Sequence, residues 1–298
     1  MGSSESSVGR ATTLIVISAL SFGSISVLTV LTTGAGVPLL TVMAWRYVIG
    51  AFLLVYAARA SVRRSVSRRQ IVELLLIGGV GQALITYLSL YSLRYIPVGP
   101  LAFLFYTYPA WVAAIAAVRG TERLTPIRLT ALVLALVGVT VMVGAPVEKL
   151  NPVGVALALG SALLYSVYLP ALEYVQEGVP AMFATFLLIV GAAFTFVVSA
   201  VLTRELFAPR DASVWINILL LAVVSTVIAF SALIKGLSVL GPVRTAIIAT
   251  VEPFFTAILG VVVLGNQLGT PTLIGGVLIA SAILIIEWSS TRKVAATA

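Results

Sequence analysis

The sequence predicts an all-α membrane protein of ten transmembrane helices built as two inverted five-helix repeats. Three observations predict it. Of 298 residues, 60% are hydrophobic and only 9% are charged, whereas a soluble domain carries about 25% charged residues; the mean hydropathy is +1.15. The apolar residues recur in blocks of about 20, the length that crosses roughly 30 Å of hydrocarbon at about 1.5 Å per residue. Landmarks of the first half return in the second at a nearly constant offset.

Gly, Pro and charged residues punctuate the blocks. They place spans at residues 12–32, 38–58, 71–93, 97–118 and 126–145, then at 152–173, 180–202, 214–237, 240–264 and 271–288. The polar start, Met1 to Arg10, lacks an A-x-A cleavage site before a full-length span and reads as a tail rather than a signal peptide. With a cytoplasmic N-terminus, the inner segments carry Arg10, Arg59, Arg63, Arg64, Arg68, Arg69, Arg119, Arg123, Arg128, Arg244, Arg292 and Lys293. The outer segments then carry only Arg94, Lys149, Arg204 and Arg210. This bias predicts a multi-pass membrane protein with both termini cytoplasmic. It also assigns the formal charge of +8 to loops facing anionic lipid, so the bilayer and no nucleic acid is the expected partner.

The offset between the halves is 142 to 145 residues: Pro38 pairs with Pro180, Leu93 with Leu237, Pro109 with Pro253 and Pro126 with Pro271. A constant offset kept in order marks a duplication, dividing the chain into repeats at 1–147 and 148–298. Five spans per unit is an odd number, so the second unit enters the membrane upside down. Inverted repeats are the architecture by which secondary transporters alternate access around a central cavity.

Several residues carry a resemblance. An Arg in the middle of span two (Trp45-Arg46-Tyr47), Tyr108-Pro109 and Glu252-Pro253 in the centres of spans four and nine, and Thr121-Glu122-Arg123-Leu124 after span four look like the bacterial drug/metabolite transporter superfamily, specifically its EamA-type ten-helix exporters. The resemblance covers essentially the whole chain and implies secondary transport of small solutes across a bacterial inner (plasma) membrane. Where that family commonly shows a Glu after span nine, this chain has Gly265-Asn266-Gln267-Leu268, so no role for a second Glu carries over. The aromatic content is similar to that of aromatic amino-acid exporters and implies amino-acid export.

Ionisable residues inside a span cost at least about 2.5–3.5 kcal/mol on insertion scales, so each should face a partner or a wet cavity. Arg46, Lys235 and Glu252 are of this kind. Arg46 lies about 12 Å below the outer surface and Glu252 about 18 Å above the inner one at the standard rise. In a core of roughly 30 Å those depths coincide, which predicts a shared cavity level and a pairing of the two. Lys235, near the inner end of span eight, either snorkels or receives an anionic group at the inner mouth. Pro109 and Pro253 each remove a backbone donor in mid-span and are the expected hinges. Trp45, Gln82, Tyr87, Tyr91, Tyr106, Tyr108, Tyr165 and Tyr168 complete the expected substrate-binding set, since buried hydroxyls and amides need partners and ring faces accept apolar or cationic solutes. Ser24 and Ser225 are further polar candidates. Spans five and ten, almost wholly apolar, read as peripheral supports.

Rival chemistries fall to composition. With no Cys, no His and a single Asp, Asp211, neither a zinc site nor a Ser-His or aspartyl dyad is available. No G-x-x-x-x-G-K-[ST] occurs. The expectation is therefore a transporter and not an enzyme, without metal or cofactor, whose partners are a small-molecule solute, the bilayer and, if Glu252 carries one, a proton. Amino acids and hydrophobic cationic drugs are the two solute readings. Outside the transporter class the rival is a membrane scaffold.

Overall fold

The computed structural model describes residues 2–61, 66–121, 125–143, 150–264 and 269–296. The expected repeat boundary at 147/148, Arg63, Arg64, the Glu122-Arg123-Leu124 part of the family-like motif, Lys149 and the Gly265-Asn266-Gln267-Leu268 segment lie outside the described residues.

All regular structure among the described residues is helical. Helices α1 (Gly2–Phe22), α2 (Ser24–Gly34) and α3 (Leu39–Ser61) come first. Next, α4 (Arg68–Leu76) runs through a π-helical turn (Ile77–Gln82) into α5 (Ala83–Ser92). Then come α6 (Val98–Phe105), α7 (Tyr108–Val118), α8 (Pro126–Val143), α9 (Pro152–Val175) and α10 (Ala181–Leu202). Finally, α11 (Ala212–Ala222) runs through a second π-helical turn (Val223–Ile228) into α12 (Ala229–Ala249), followed by α13 (Glu252–Leu264) and α14 (Thr270–Ala296). Local chemistry sets several starts. Ser67 accepts from the Gln70 N–H to cap α4, and Asn151 accepts from the Val153 N–H at 2.9 Å to cap α9. Pro126 and Pro152 each open a helix, at a first-turn position where no N–H is needed.

Among the described residues, seven helical runs are long and apolar enough to cross a membrane: Ser7–Gly34, Leu39–Ser61, Arg68–Ser92, Pro100–Val118, Pro152–Val175, Ala181–Leu202 and Ala212–Ala249. Shorter apolar helices cover Pro126–Val141, Glu252–Val263 and Thr270–Ile285. The chain is thus a multi-pass membrane protein. The longest run, 38 residues, is not one rod. Gly241 sits at φ 73° and ψ 170° ahead of Pro242, a backbone state open to glycine, and it breaks the helical path inside α12.

Features of the two halves correspond. The π turns open at Ile77 and Val223. Helical breaks precede Pro109 and Pro253. The link at Pro97 matches the break at Pro242. Packing crosses between the halves: α3 lies along α10, α1 along α12, and α8 along α14. Glycines set the closest approaches. A Cβ at Gly191 of α10 would stand 2.2 Å from the Leu75 carbonyl oxygen, and one at Gly78 would stand 2.1 Å from that of Leu188. On the other side, a Cβ at Gly50 of α3 would meet Thr226 Cγ2 at 3.1 Å. Each central helix therefore packs on the π turn of the opposite half. α8 and α14 meet at Gly138, where a Cβ would stand 2.8 Å from the Gly275 carbonyl oxygen.

Backbone atoms cannot yield as a flexible side chain does, so Gly191→Ala separates the two helices. It is expected to cost about 1–3 kcal/mol, the usual range for overpacking. Thermal unfolding in detergent checks this, with Gly34→Ala, which meets open space, as the unaffected control.

Candidate functional site

A cavity of about 120 Å³ lies where the two interrupted helices meet. α6 ends at Phe105, and Pro109 falls in the first turn of α7; α12 ends at Ala249, and Pro253 falls in the first turn of α13. The sequence predicts bends at these prolines. The structure has full breaks, with each proline starting a new helix, because the first turn is the one place in a helix where a missing N–H costs nothing. Tyr108, Glu252 and Pro253 bring both helix starts to the cavity wall. Free N–H groups and the positive dipole end make that a favourable place for a carboxylate.

The wall is aromatic and apolar, with a polar stripe on one helix and single hydroxyls at Ser18, Ser26 and Thr256. Phe105, Tyr106, Tyr108, Tyr165, Phe22 and Phe230 supply ring surface. Tyr108 meets Tyr165 edge-on, 4.7 Å between centroids, and Phe105 lies 5.5 Å from Tyr165. Gln82, Thr86 and Ser89 of the first π turn and α5 supply the stripe. Gln82 Nε2 donates to Thr86 Oγ1 at 2.8 Å, while Gln82 Oε1 is buried without a partner. Among the described residues, Glu252 is the only charged one of the lining. Tyr106, Tyr108 and Tyr165 are its electrostatic neighbours. The Tyr106 hydroxyl is directed at the Glu252 carboxylate but makes no hydrogen bond of ordinary geometry in this conformation.

Of the residues singled out from sequence, Gln82, Tyr106, Tyr108, Tyr165, Glu252 and Pro253 line this cavity. Tyr168 is buried behind it, stacked on Tyr165 at 5.7 Å, with its hydroxyl unpartnered. Tyr87 and Tyr91 line a separate chamber. Trp45 turns away: its Nε1 donates to the Phe207 carbonyl at 2.9 Å, and its ring meets Trp215 edge-on at 5.1 Å. Lys235 lies exposed on the α12 surface and lines neither cavity.

Arg46 is the largest departure. It is 1% exposed, yet the expected pair with Glu252 does not form. Its Nε donates to Thr226 Oγ1 at 2.7 Å, its Nη2 to the Ser225 carbonyl at 2.8 Å, and its Nη1 contacts Met43 Sδ at 3.8 Å. The reason lies in the π turn. An i→i+5 bulge leaves carbonyls without their usual partners, and the guanidinium fork supplies donors to one of them and to the neighbouring hydroxyl. Thr226 Oγ1 in turn donates to the Leu221 carbonyl at 2.9 Å. Arg46 thereby fastens α3 to the second π turn. Ser24 and Ser225 join in the same region, Oγ to Oγ at 2.6 Å.

Sequence reasoning did not single out Thr86, Phe22, Phe105, Phe230 or Thr256. Thr86 stands one helical turn beyond Gln82 and Phe105 beside Tyr106, so both were within reach of periodicity. Phe22 and Phe230, on distant helices, meet edge-on at 5.0 Å and give no local signal. None of the lining comes from α8 or α14.

Two stretches of the chain, residues 9–144 and 152–288, each match the profile of the EamA-like transporter family. Among solved structures, 29 chains match. One of them, a crystal structure of a protein, aligns with a TM-score of 0.78 over 95% of this chain and 98% of its own, at 20% identity. That likeness is one of fold. No curated protein matches.

Proposed function

The chain belongs to the EamA-like transporter family, and from that premise we propose that it moves solutes bearing an ammonium group and an apolar, ring-bearing body, with hydrophobic organic cations first among them. One observation carries the reading: Glu252 is the sole charge of an aromatic-walled central cavity. An ammonium finds its counter-ion there, and the rings of Tyr106, Tyr108 and Tyr165 offer faces for cation and hydrocarbon alike. Arg46 and Lys235, the cations that would favour an anionic solute, stand outside the wall. Amino acids are the second reading. Their ammonium would meet Glu252 and their carboxylate the neutral stripe at Gln82, Thr86 and Ser89.

In this reading the chain makes ten spans. Dividing the 38-residue run at Gly241 and joining its second part to α13, with α8 and α14 counted, brings seven runs to ten. The two family matches then become inverted five-helix units meeting near residues 147/148, both termini are cytoplasmic on the distribution of arginines, and alternating access operates across the cavity. The charge of a lone carboxylate away from water is held against either a proton or an ammonium. Exclusive occupancy of Glu252 by one or the other is proton antiport.

Flux into proteoliposomes tests the substrate class. Phenyltrimethylammonium, phenylalanine and 3-phenylpropionate share a ring and differ in charge. The expected order is the cation first, the zwitterion second, and no flux of the anion. Accumulation of the cation is expected to rise when the vesicle interior is acid relative to the bath. Flux of the anion at the rate of the cation contradicts the reading.

A further inference from the structure

A second chamber opens at the end of the molecule where α2 gives way to α3, α5 ends and α10 turns toward α11. At about 690 Å³ it is several times the size of the central cavity, about 120 Å³, and Leu90 lines both. Two charges of opposite sign line it, Arg94 and Glu205. Tyr87 and Tyr91 line it as well, stacked at 5.2 Å and 16°. Arg94 Nη1 donates to the Tyr91 hydroxyl at 3.2 Å, and its Cζ lies 5.2 Å from that ring's centroid. Arg94 and Glu205 form no ion pair with each other.

The position of Glu205 is built rather than incidental. α10 ends in a Schellman turn: Arg204 takes the left-handed conformation at φ 58°, its N–H bonds the Val201 carbonyl at 3.1 Å, and the Glu205 N–H bonds the Ala200 carbonyl at 2.8 Å. Thr41 Oγ1 donates to the Glu205 carbonyl, tying this turn to α3. The backbone is fixed on both sides, and no hydrogen bond engages the Glu205 carboxylate among the described residues.

We propose that this chamber is a second solute site, apart from the central cavity, for small zwitterions of the α-amino-acid type. The ammonium meets Glu205, the carboxylate meets Arg94, and the side chain lies along Tyr87. A simple cation finds a counter-charge only at Glu205 and a simple anion only at Arg94, so a solute carrying both charges is the one that matches both walls. The central cavity offers one charge and this chamber two, so the assignment stands apart from that of Glu252.

Calorimetric titration of the full chain in detergent with phenylalanine, 3-phenylpropionate and phenyltrimethylammonium tests it. Phenylalanine is expected to bind, and 3-phenylpropionate to bind at least about tenfold more weakly. Arg94→Gln and Glu205→Gln are each expected to weaken phenylalanine about tenfold, the cost of one charge-assisted contact. Arg94→Lys, which keeps the charge, should hold affinity within about threefold of wild type. Unfolding midpoints check that each variant is folded. No phenylalanine binding, affinity untouched by both neutral variants, or affinity lost on Glu252→Gln alone overturns the proposal. Failure of the central-site reading shows differently, as phenyltrimethylammonium binding that survives Glu252→Gln.

Discussion

Glu252→Gln abolishes phenyltrimethylammonium flux, by about two orders of magnitude or more, and leaves the protein folded in the membrane. The side chain keeps its size, and an amide keeps one acceptor toward Tyr106. What disappears is the only charge of the cavity lining. Leaving a charge without its buried partner costs about 3–5 kcal/mol, and each 1.4 kcal/mol is tenfold in affinity. The same variant no longer responds to an imposed pH gradient, since its amide holds no exchangeable counter-proton. Flux in proteoliposomes, normalised to protein recovered in the membrane, reads both effects.

At Arg46 the conservative substitution is expected to do more harm than the radical one. Arg46→Lys keeps a cation in a site 1% exposed but replaces a planar fork by a single point donor. It cannot serve Thr226 Oγ1 and the Ser225 carbonyl together as the guanidinium does at 2.7 and 2.8 Å. Burial of the charge still costs at least about 2.5 kcal/mol, now against one contact in place of two. Arg46→Met abandons the charge with its burial cost, fits beside Met43, and leaves one carbonyl and one hydroxyl short of a partner, about 1–3 kcal/mol each. Thermal unfolding in detergent should rank wild type first, methionine second and lysine last, with lysine down by about 3 kcal/mol or more. Arg46→Met should still bind phenyltrimethylammonium, because Arg46 touches the second π turn and not the cavity. Loss of that binding in a folded protein would return Arg46 to the solute site.

The spans were legible because hydrocarbon imposes length and composition on every crossing segment, and the Gly and Pro between them are backbone necessities. The correspondence of Pro109 with Pro253 was legible as well. Which way a side chain projects from its helix was not. Helix α3 is apolar on all sides, so sequence placed Arg46 at the right depth and gave no azimuth. Its true partners depend on the π turn at Val223–Ile228, an extra residue of winding that has no mark in the sequence. Tyr87 and Tyr91 leave the central cavity by azimuth and not by depth: Ser89 and Leu90 of the same helix lie farther from Gln82 than Tyr87 does and still line that cavity, while the two tyrosines turn into the second chamber. Glu205 drew no notice because a Schellman turn without glycine, closed on Arg204, looks like any polar loop.

Dicyclohexylcarbodiimide, an apolar reagent that modifies protonated carboxyl groups buried in a membrane, tests the central claim most directly when its site of attachment is mapped by mass spectrometry. Labelling of Glu252 is expected, slowed about tenfold or more by saturating phenyltrimethylammonium and unaffected by 3-phenylpropionate. Labelling of Glu252 at the same rate with and without the cation would contradict it.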